Sequence, residues 1–203
     1  MAFPFIAVEG IDGSGKETQV AELVKLAKRK RARVFVHKYP TDNAKKIKDY
    51  LAGKTNLSSD ELFEMYSKDI MDGQEKLKDE LLRGWVIADR YCISTAAYQG
   101  VGGKLEERME QINEMNFAKP DLVIWLDLPV EEAMKRKERQ KILDRNESNM
   151  KFLKEVRANF EKLYISSFVG PKWKRIDASD EPKKVADEIR KALEPEEIRN
   201  AGI

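Results

Sequence analysis

Residues 10 to 18 read Gly-Ile-Asp-Gly-Ser-Gly-Lys-Glu-Thr and directly follow the apolar run Phe5-Ile6-Ala7-Val8. Glycines at 10, 13 and 15 let the backbone turn tightly, so that several N–H groups converge on one anion. Lys16 adds a full charge, and the helix expected behind it adds the partial positive charge of its N-terminus. This is the chemistry of a phosphate-binding loop of the form G-x-x-x-x-G-K-[ST], set between a buried strand and a helix. The loop residues Gly10, Asp12, Gly13, Ser14, Gly15, Lys16, Glu17 and Thr18 are therefore read as the site of a polyphosphate, most simply a nucleotide. Glu17 stands where the pattern has Ser or Thr.

A second cluster lies at Val86-Ile87-Ala88-Asp89-Arg90. An apolar strand that ends in Asp can hold Mg²⁺ opposite such a loop. An Arg beside it can clamp a phosphate bidentately. A third cluster is basic: Lys135, Arg136, Lys137, Arg139, Lys141 and Arg145 against Glu138 and Asp144. It reads either as a solvated helix face or as a lid over about 136–149 whose arginines balance charge on a transferring phosphoryl group.

These groups need a scaffold that gathers them. Short apolar runs at Phe5–Glu9, Arg33–Tyr39, Trp85–Asp89, Leu122–Asp127 and Trp173–Asp177 alternate with helical patterns over about 16–30, 44–52, 59–83, 105–117, 130–139, 150–166 and 182–193. That alternation predicts an α/β fold, a five-stranded parallel sheet flanked by helices, as one domain over residues 1–203. The first helix should bury Val20, Leu23, Val24 and Ala27. Four of the five runs end at an acid, Glu9, Asp89, Asp127 and Asp177, at the strand ends where such sheets bind ligands. These carboxylates are expected around the mouth of the site, with Mg²⁺ and phosphates. The segment 194–203 is expected to fray.

Composition narrows the function classes. Lys and Arg number 38 and Asp and Glu 36, a net charge of +2, which gives no reason to expect a nucleic-acid partner. No run approaches the length of a membrane span. The single cysteine, Cys92, excludes an internal disulfide, and one Cys with one His argues against zinc. A cytoplasmic protein acting on small molecules is the expectation.

Asp89-Arg90-Tyr91-Cys92-Ile93-Ser94-Thr95-Ala96-Ala97-Tyr98-Gln99-Gly100 resembles the D-R-[YH]-x-x-S-x-x-A-Y-Q-G segment of thymidylate kinases, which phosphorylate dTMP with ATP. Glu9 to Lys16, Tyr39-Pro40, Leu126-Asp127-Leu128-Pro129 and Leu143-Asp144-Arg145-Asn146-Glu147 are similar to further motifs of that family, in the family's order. The resemblance implies a nucleotide-kinase fold of the P-loop type, ATP and Mg²⁺ as donor complex, dTMP as acceptor and a homodimer. It implies catalytic roles for Lys16, Asp89, Arg90 and the lid arginines Arg136, Arg139 and Arg145, since the loop position that carries an Arg in some members is Gly13 here. Metal contact would come from Asp89 and Glu17. The acceptor would meet Tyr39 and Pro40, a stacking aromatic (Tyr66 first, Phe63 second), Arg90, Ser94 near the base, Tyr98 against the sugar 2′ position, Gln99, and Asp12 at the 3′-OH.

The chain departs from the family pattern in three places. Glu17 replaces the loop hydroxyl; Thr41-Asp42-Asn43 lacks the Arg that often follows the [FY]-P turn, with Lys45 and Lys46 nearby; and Ile70, or Ser67, stands where an Arg often follows the stacking aromatic. Two alternatives stay open from the residues: a kinase for another pyrimidine nucleotide such as dUMP, and a nucleotide-binding module with impaired catalysis. A GTPase would need an N-K-x-D motif, which is absent.

Overall fold

A computed structural model describes residues 4–140 and 149–193. The elements in chain order are β1 (Phe5–Glu9), α1 (Lys16–Arg29), β2 (Val34–Lys38), α2 (Lys45–Leu51), α3 (Ser59–Met71), α4 (Gln74–Leu81), β3 (Trp85–Asp89), α5 (Cys92–Gln99), α6 (Leu105–Glu114), β4 (Leu122–Asp127), α7 (Val130–Gln140), α8 (Met150–Ile165), β5 (Trp173–Asp177) and α9 (Pro182–Ala192). All strand pairs are parallel, in the order β2-β3-β1-β4-β5. The expected five-stranded parallel sheet is therefore present, with strand bounds shifted only at β2.

The three inner strands carry the core. Every residue of β1, β3 and β4 is buried, because helices cover both faces. The edge strands β2 and β5 are only partly covered. The chain leaves β1 toward the β2 edge, returns to β3 beside β1, then crosses to β4 on the far side. That reversal opens a crevice at the carboxyl ends of β1 and β3, where an open α/β sheet binds its ligand.

Two helical expectations change. The predicted helix over 59–83 is two helices that meet at Asp72-Gly73, with Gly73 capping the second. A Cβ at Gly73 would lie 3.3 Å from the Tyr39 hydroxyl, so the break lets the turn pass close to the β2 end. Helix α5 was not expected at all. All eight of its residues are buried, so it has no polar face and no amphipathic period. It packs on α3, α6 and α8 and carries Ser94, Tyr98 and Gln99 into the crevice. The start of α3 is set by a capping box in which Ser58 and Glu61 satisfy each other's backbone N–H groups. In α1, Val20, Leu23 and Ala27 are buried as expected and Val24 is half-buried.

Candidate functional site

The crevice holds two clefts. The larger, about 620 Å³, runs along the glycine loop, past Asp89 and Arg90, and between α7 and the turn that joins β5 to α9. Gly10 has a φ of 144°, and a Cβ there would fall 2.6 Å from the Leu126 carbonyl and 2.8 Å from Ser14 Oγ. Gly13 has a φ of 82°, and its Cβ would lie 2.9 Å from the Ala133 carbonyl oxygen. The loop is thus pressed onto the β4 end on one side and onto the α7 backbone on the other. No side chain caps the start of α1, which leaves its first N–H groups facing the cleft. Ser14 Oγ is buried and finds no hydrogen-bond partner among the described residues. A concave set of unsatisfied donors fits a phosphate group.

Lys16 is almost fully buried, with Nζ donating to the carbonyls of Gly10 (3.1 Å) and Ile11 (2.9 Å). Burial, and then the neighbouring Arg90 charge, push its ammonium down to about 8. Arg90 sits at the β3 end with a φ of 66°. Its guanidinium donates to the Gly10 carbonyl (3.2 Å), to Ser94 Oγ (3.2 Å) and to the Asp12 carboxylate. Burial would raise the Asp12 carboxyl. The charges of Arg90 and Lys16 and the Tyr98 hydroxyl outweigh it and hold Asp12 well below the usual carboxylate range.

The second cleft, about 190 Å³, is lined by Asp12, Lys38, Tyr39, Pro40, Leu51, Tyr66, Arg90, Tyr91, Ser94, Thr95, Tyr98 and Gln99. Its walls are mainly aromatic and apolar, with Asp12, Lys38 and Arg90 as charged groups and Ser94, Thr95 and Gln99 of α5 as polar ones. Tyr98 Oη donates to Asp12 Oδ2 (2.8 Å) and accepts from the Asp12 backbone N–H (3.2 Å). Its ring lies 5.2 Å below the Arg90 guanidinium. Ser94 donates to Glu9, which also accepts from the Tyr91 N–H at 2.8 Å. Burial pushes the Glu9 carboxyl up to about 7 despite that serine bond and the Arg90 and Lys16 charges.

Most of the residues singled out in the sequence converge here. Asp12, Gly13, Ser14, Gly15, Lys16, Glu17, Thr18, Asp89, Arg90, Arg136 and Arg139 line the large cleft. Tyr39, Pro40, Tyr66, Ser94, Tyr98 and Gln99 line the small one. Others are placed elsewhere. Phe63 is buried under Arg108, whose guanidinium is 4.5 Å from its ring, and lines neither cleft. Ile70 and Ser67 are buried in the packing of α3. Lys45 and Lys46 are exposed and line neither cleft. Arg136 donates to the carbonyls of Ala178 (2.9 Å) and Ser179 (3.5 Å), at the far end of the large cleft. Arg145 and most of the 136–149 lid segment lie outside the described residues, as does the 194–203 tail.

The ring of strand-end carboxylates is not formed. Asp127 is gripped by Arg157 (2.7 and 3.0 Å) and Arg175 (3.0 and 2.7 Å). Asp177 accepts from the N–H and hydroxyl of Ser179. Glu9 is buried and turned to Ser94. Of the four, only Asp89 lines the large cleft. Asp89 and Glu17 both line the large cleft, and carboxylates suit Mg²⁺, which keeps most of its water. Among the described residues there is no cluster of three or more His, Cys, Asp or Glu to cage a metal.

Sequence reasoning missed Lys38, Leu51 and Thr95 in the clefts, and Gln19 with the Ala178–Pro182 turn at the end of the large one. Lys38 ends a strand and precedes Tyr39-Pro40, which was the one available signal. No described helix is long and apolar enough to cross a membrane.

Residues 8–189 match the family model described as thymidylate kinase. A probable thymidylate kinase of Archaeoglobus fulgidus is 36% identical over 193 residues, covering 93% of this chain and 94% of that protein. A thymidylate kinase of Prochlorococcus marinus (strain NATL1A) is 33% identical over 205 residues, covering 93% and 95%. Among solved structures, the thymidylate kinase of Candida albicans superposes with a TM-score of 0.79 at 23% identity, over 99% of this chain and 94% of that one, which establishes the shared fold.

Proposed function

This chain belongs to the thymidylate kinase family, and we infer from that membership and from the two clefts that it transfers the γ-phosphoryl group of ATP to dTMP. It is an ATP-dependent nucleoside monophosphate kinase. The observation that carries the reading is the pairing of a glycine-loop cleft for a triphosphate with an aromatic cleft for a nucleoside, joined at Asp12, Lys38, Tyr39 and Arg90.

The reaction asks for little covalent work from the protein. An oxygen of the acceptor monophosphate attacks the γ-phosphorus, and the bond to the bridging oxygen of the leaving ADP breaks. Alignment and charge neutralisation then supply the rate. The loop N–H groups and Lys16 hold the donor's phosphates. Burial depresses the Lys16 ammonium to about 8, and an arriving polyphosphate favours its charged form further. Arg90 reaches the seam between the clefts and balances charge there. Arg136 and Arg139, on α7, line the donor cleft; arginines that balance charge on a transferring phosphoryl group are worth roughly 10³–10⁵ in rate. Asp89, with Glu17, would hold Mg²⁺, which would supply charge neutralisation for the donor's phosphates.

In the acceptor cleft, Tyr66 offers the face on which a flat base stacks. Tyr98 and Asp12 form the sugar wall, with Ser94 and Gln99 facing the same space; Phe63 is too deeply covered to stack. Residues 1–203 act as one nucleotide-kinase domain, and family membership favours a cytoplasmic homodimer, which sedimentation would test. The decisive assay is a panel of nucleoside monophosphates with ATP and Mg²⁺. dTMP should give the highest kcat/KM and dTDP as product. ADP release with another monophosphate but not with dTMP would overturn the assignment.

A further inference from the structure

We propose that Lys38 joins Arg90 in holding the phosphate of the acceptor nucleotide in this chain, and that Glu17 is the resting partner of Lys38, released when the acceptor arrives. The proposal rests on the dTMP kinase reading above. Among the described residues, Asp12, Lys38, Tyr39 and Arg90 line both clefts, so these four surround the seam at which the acceptor's phosphate must meet the γ-phosphate. Two of them are cations.

Arg90 is fastened at rest. It donates to Asp12, to the Gly10 carbonyl and to Ser94, and a buried guanidinium with three partners gives them up at a cost. Lys16 is bound to two loop carbonyls on the donor side, and Lys137, whose charge reaches Asp12, lines the large cleft and not the small one. Lys38 differs. Its Nζ lies 3.2 Å from Glu17 Oε1, and the two side chains are 64% and 87% exposed. A pair so open to water contributes little. A phosphate monoester carries nearly two charges and three acceptor oxygens, so it outcompetes one solvated carboxylate.

The pairing also joins two of the chain's departures from the family pattern. The Arg that often follows the [FY]-P turn is missing, and a carboxylate occupies the loop position usually given to a hydroxyl. The structure brings the second departure into contact with the lysine one residue before the turn. Glu17 alone would repel phosphates; paired with Lys38 its charge is neutralised at rest. When Lys38 turns to the acceptor, the Glu17 carboxylate is freed on the donor side.

Binding of dTMP and of thymidine, measured by calorimetry without metal, tests this. Lys38→Met should weaken dTMP by about 10- to 100-fold, the range of a lost charge-assisted hydrogen bond. Thymidine, which has no phosphate, should change less than about 2-fold, and Lys38→Arg should keep most of the dTMP affinity. Glu17→Gln should tighten dTMP by about 2- to 5-fold, the size of an exposed ion pair, and should have no such effect in the Lys38→Met background. Equal losses for dTMP and thymidine, or no loss for either, would overturn the proposal while leaving the kinase reading intact. If the wild-type chain neither bound nor phosphorylated dTMP, both would fall together. Because Lys38 is exposed, its variants should unfold at the wild-type temperature, which a melting curve verifies.

Discussion

Gly13 and Gly15 offer a controlled comparison within one loop. Both have left-handed backbones, φ 82° and 87°, yet their surroundings differ. A Cβ at Gly15 meets nothing within 4 Å, whereas one at Gly13 meets the Ala133 backbone at 2.9, 3.3 and 3.4 Å. An alanine in the left-handed region costs about 1–2 kcal/mol, less a few tenths regained from a stiffer unfolded chain. Gly15→Ala should therefore lose about 1 kcal/mol. Gly13→Ala bears the same strain plus an overpacking cost of about 1–3 kcal/mol, because backbone cannot swing aside as a side-chain tip can. For 203 residues the unfolding entropy is about 0.4 kcal/mol per degree, so each kcal/mol moves the midpoint about 2 °C. Thermal unfolding followed by circular dichroism should show a drop of about 2 °C for Gly15→Ala and about 5–9 °C for Gly13→Ala. Equal shifts would refute the claim that the loop is pressed onto α7. Gly13→Ala should also lower kcat, since relief of the contact displaces the helix that carries Arg136 and Arg139.

Lys16→Ala should reduce kcat by about 10²-fold or more with the fold retained, because an anchored charge on the donor phosphates is lost; near-wild-type turnover would exclude the loop assignment. ATP binding to the wild-type protein should take up protons around pH 8, where the depressed Lys16 ammonium regains its charge. Calorimetry in buffers of different ionisation enthalpy reads that uptake directly. Tyr98→Ala should relax the preference for deoxyribose over ribose acceptors, and an unchanged ratio of kcat/KM values would remove Tyr98 from the sugar wall. Glu9 has a folded-state value of about 7 against an ordinary 4.5, so its contribution is intact below pH 4.5 and is withdrawn as pH climbs through about 7. Glu9→Gln should consequently gain on the wild type above pH 7, by about 1–3 kcal/mol, and not at pH 5; urea denaturation at the two values decides it.

The parts legible in the sequence were those whose environment leaves a periodic or local trace. The strands β1, β3 and β4 are buried on both faces and read as continuous apolar runs, so their bounds were found to the residue. Helix α5 left no trace because burial on all sides erases the stripe by which helices are recognised. The split between α3 and α4 was hidden because both halves keep the same apolar phase across Gly73. Within the site, Asp89 and Arg90 could be found because they lie at a strand end, and Lys16 because the glycine pattern before α1 marks it. Asp127 lies at a strand end too, yet its fate depends on Arg157 and Arg175, 30 and 48 residues away, and no local pattern foretells that competition. Phe63 and Tyr66 are three residues apart on one helix. Which ring is covered depends on partners distant in sequence: Arg108 of α6 lies over Phe63, while Tyr66 lines the cleft.

Asp12 belongs to the glycine loop of the larger cleft, but both its amide and its carboxylate are fastened to Tyr98, which lines the smaller one. The two clefts thus share one residue in their walls, so occupancy of either would be felt at the other through it. Thermodynamic reciprocity then applies: whatever advantage an occupied donor site confers on the incoming monophosphate must be returned in equal measure.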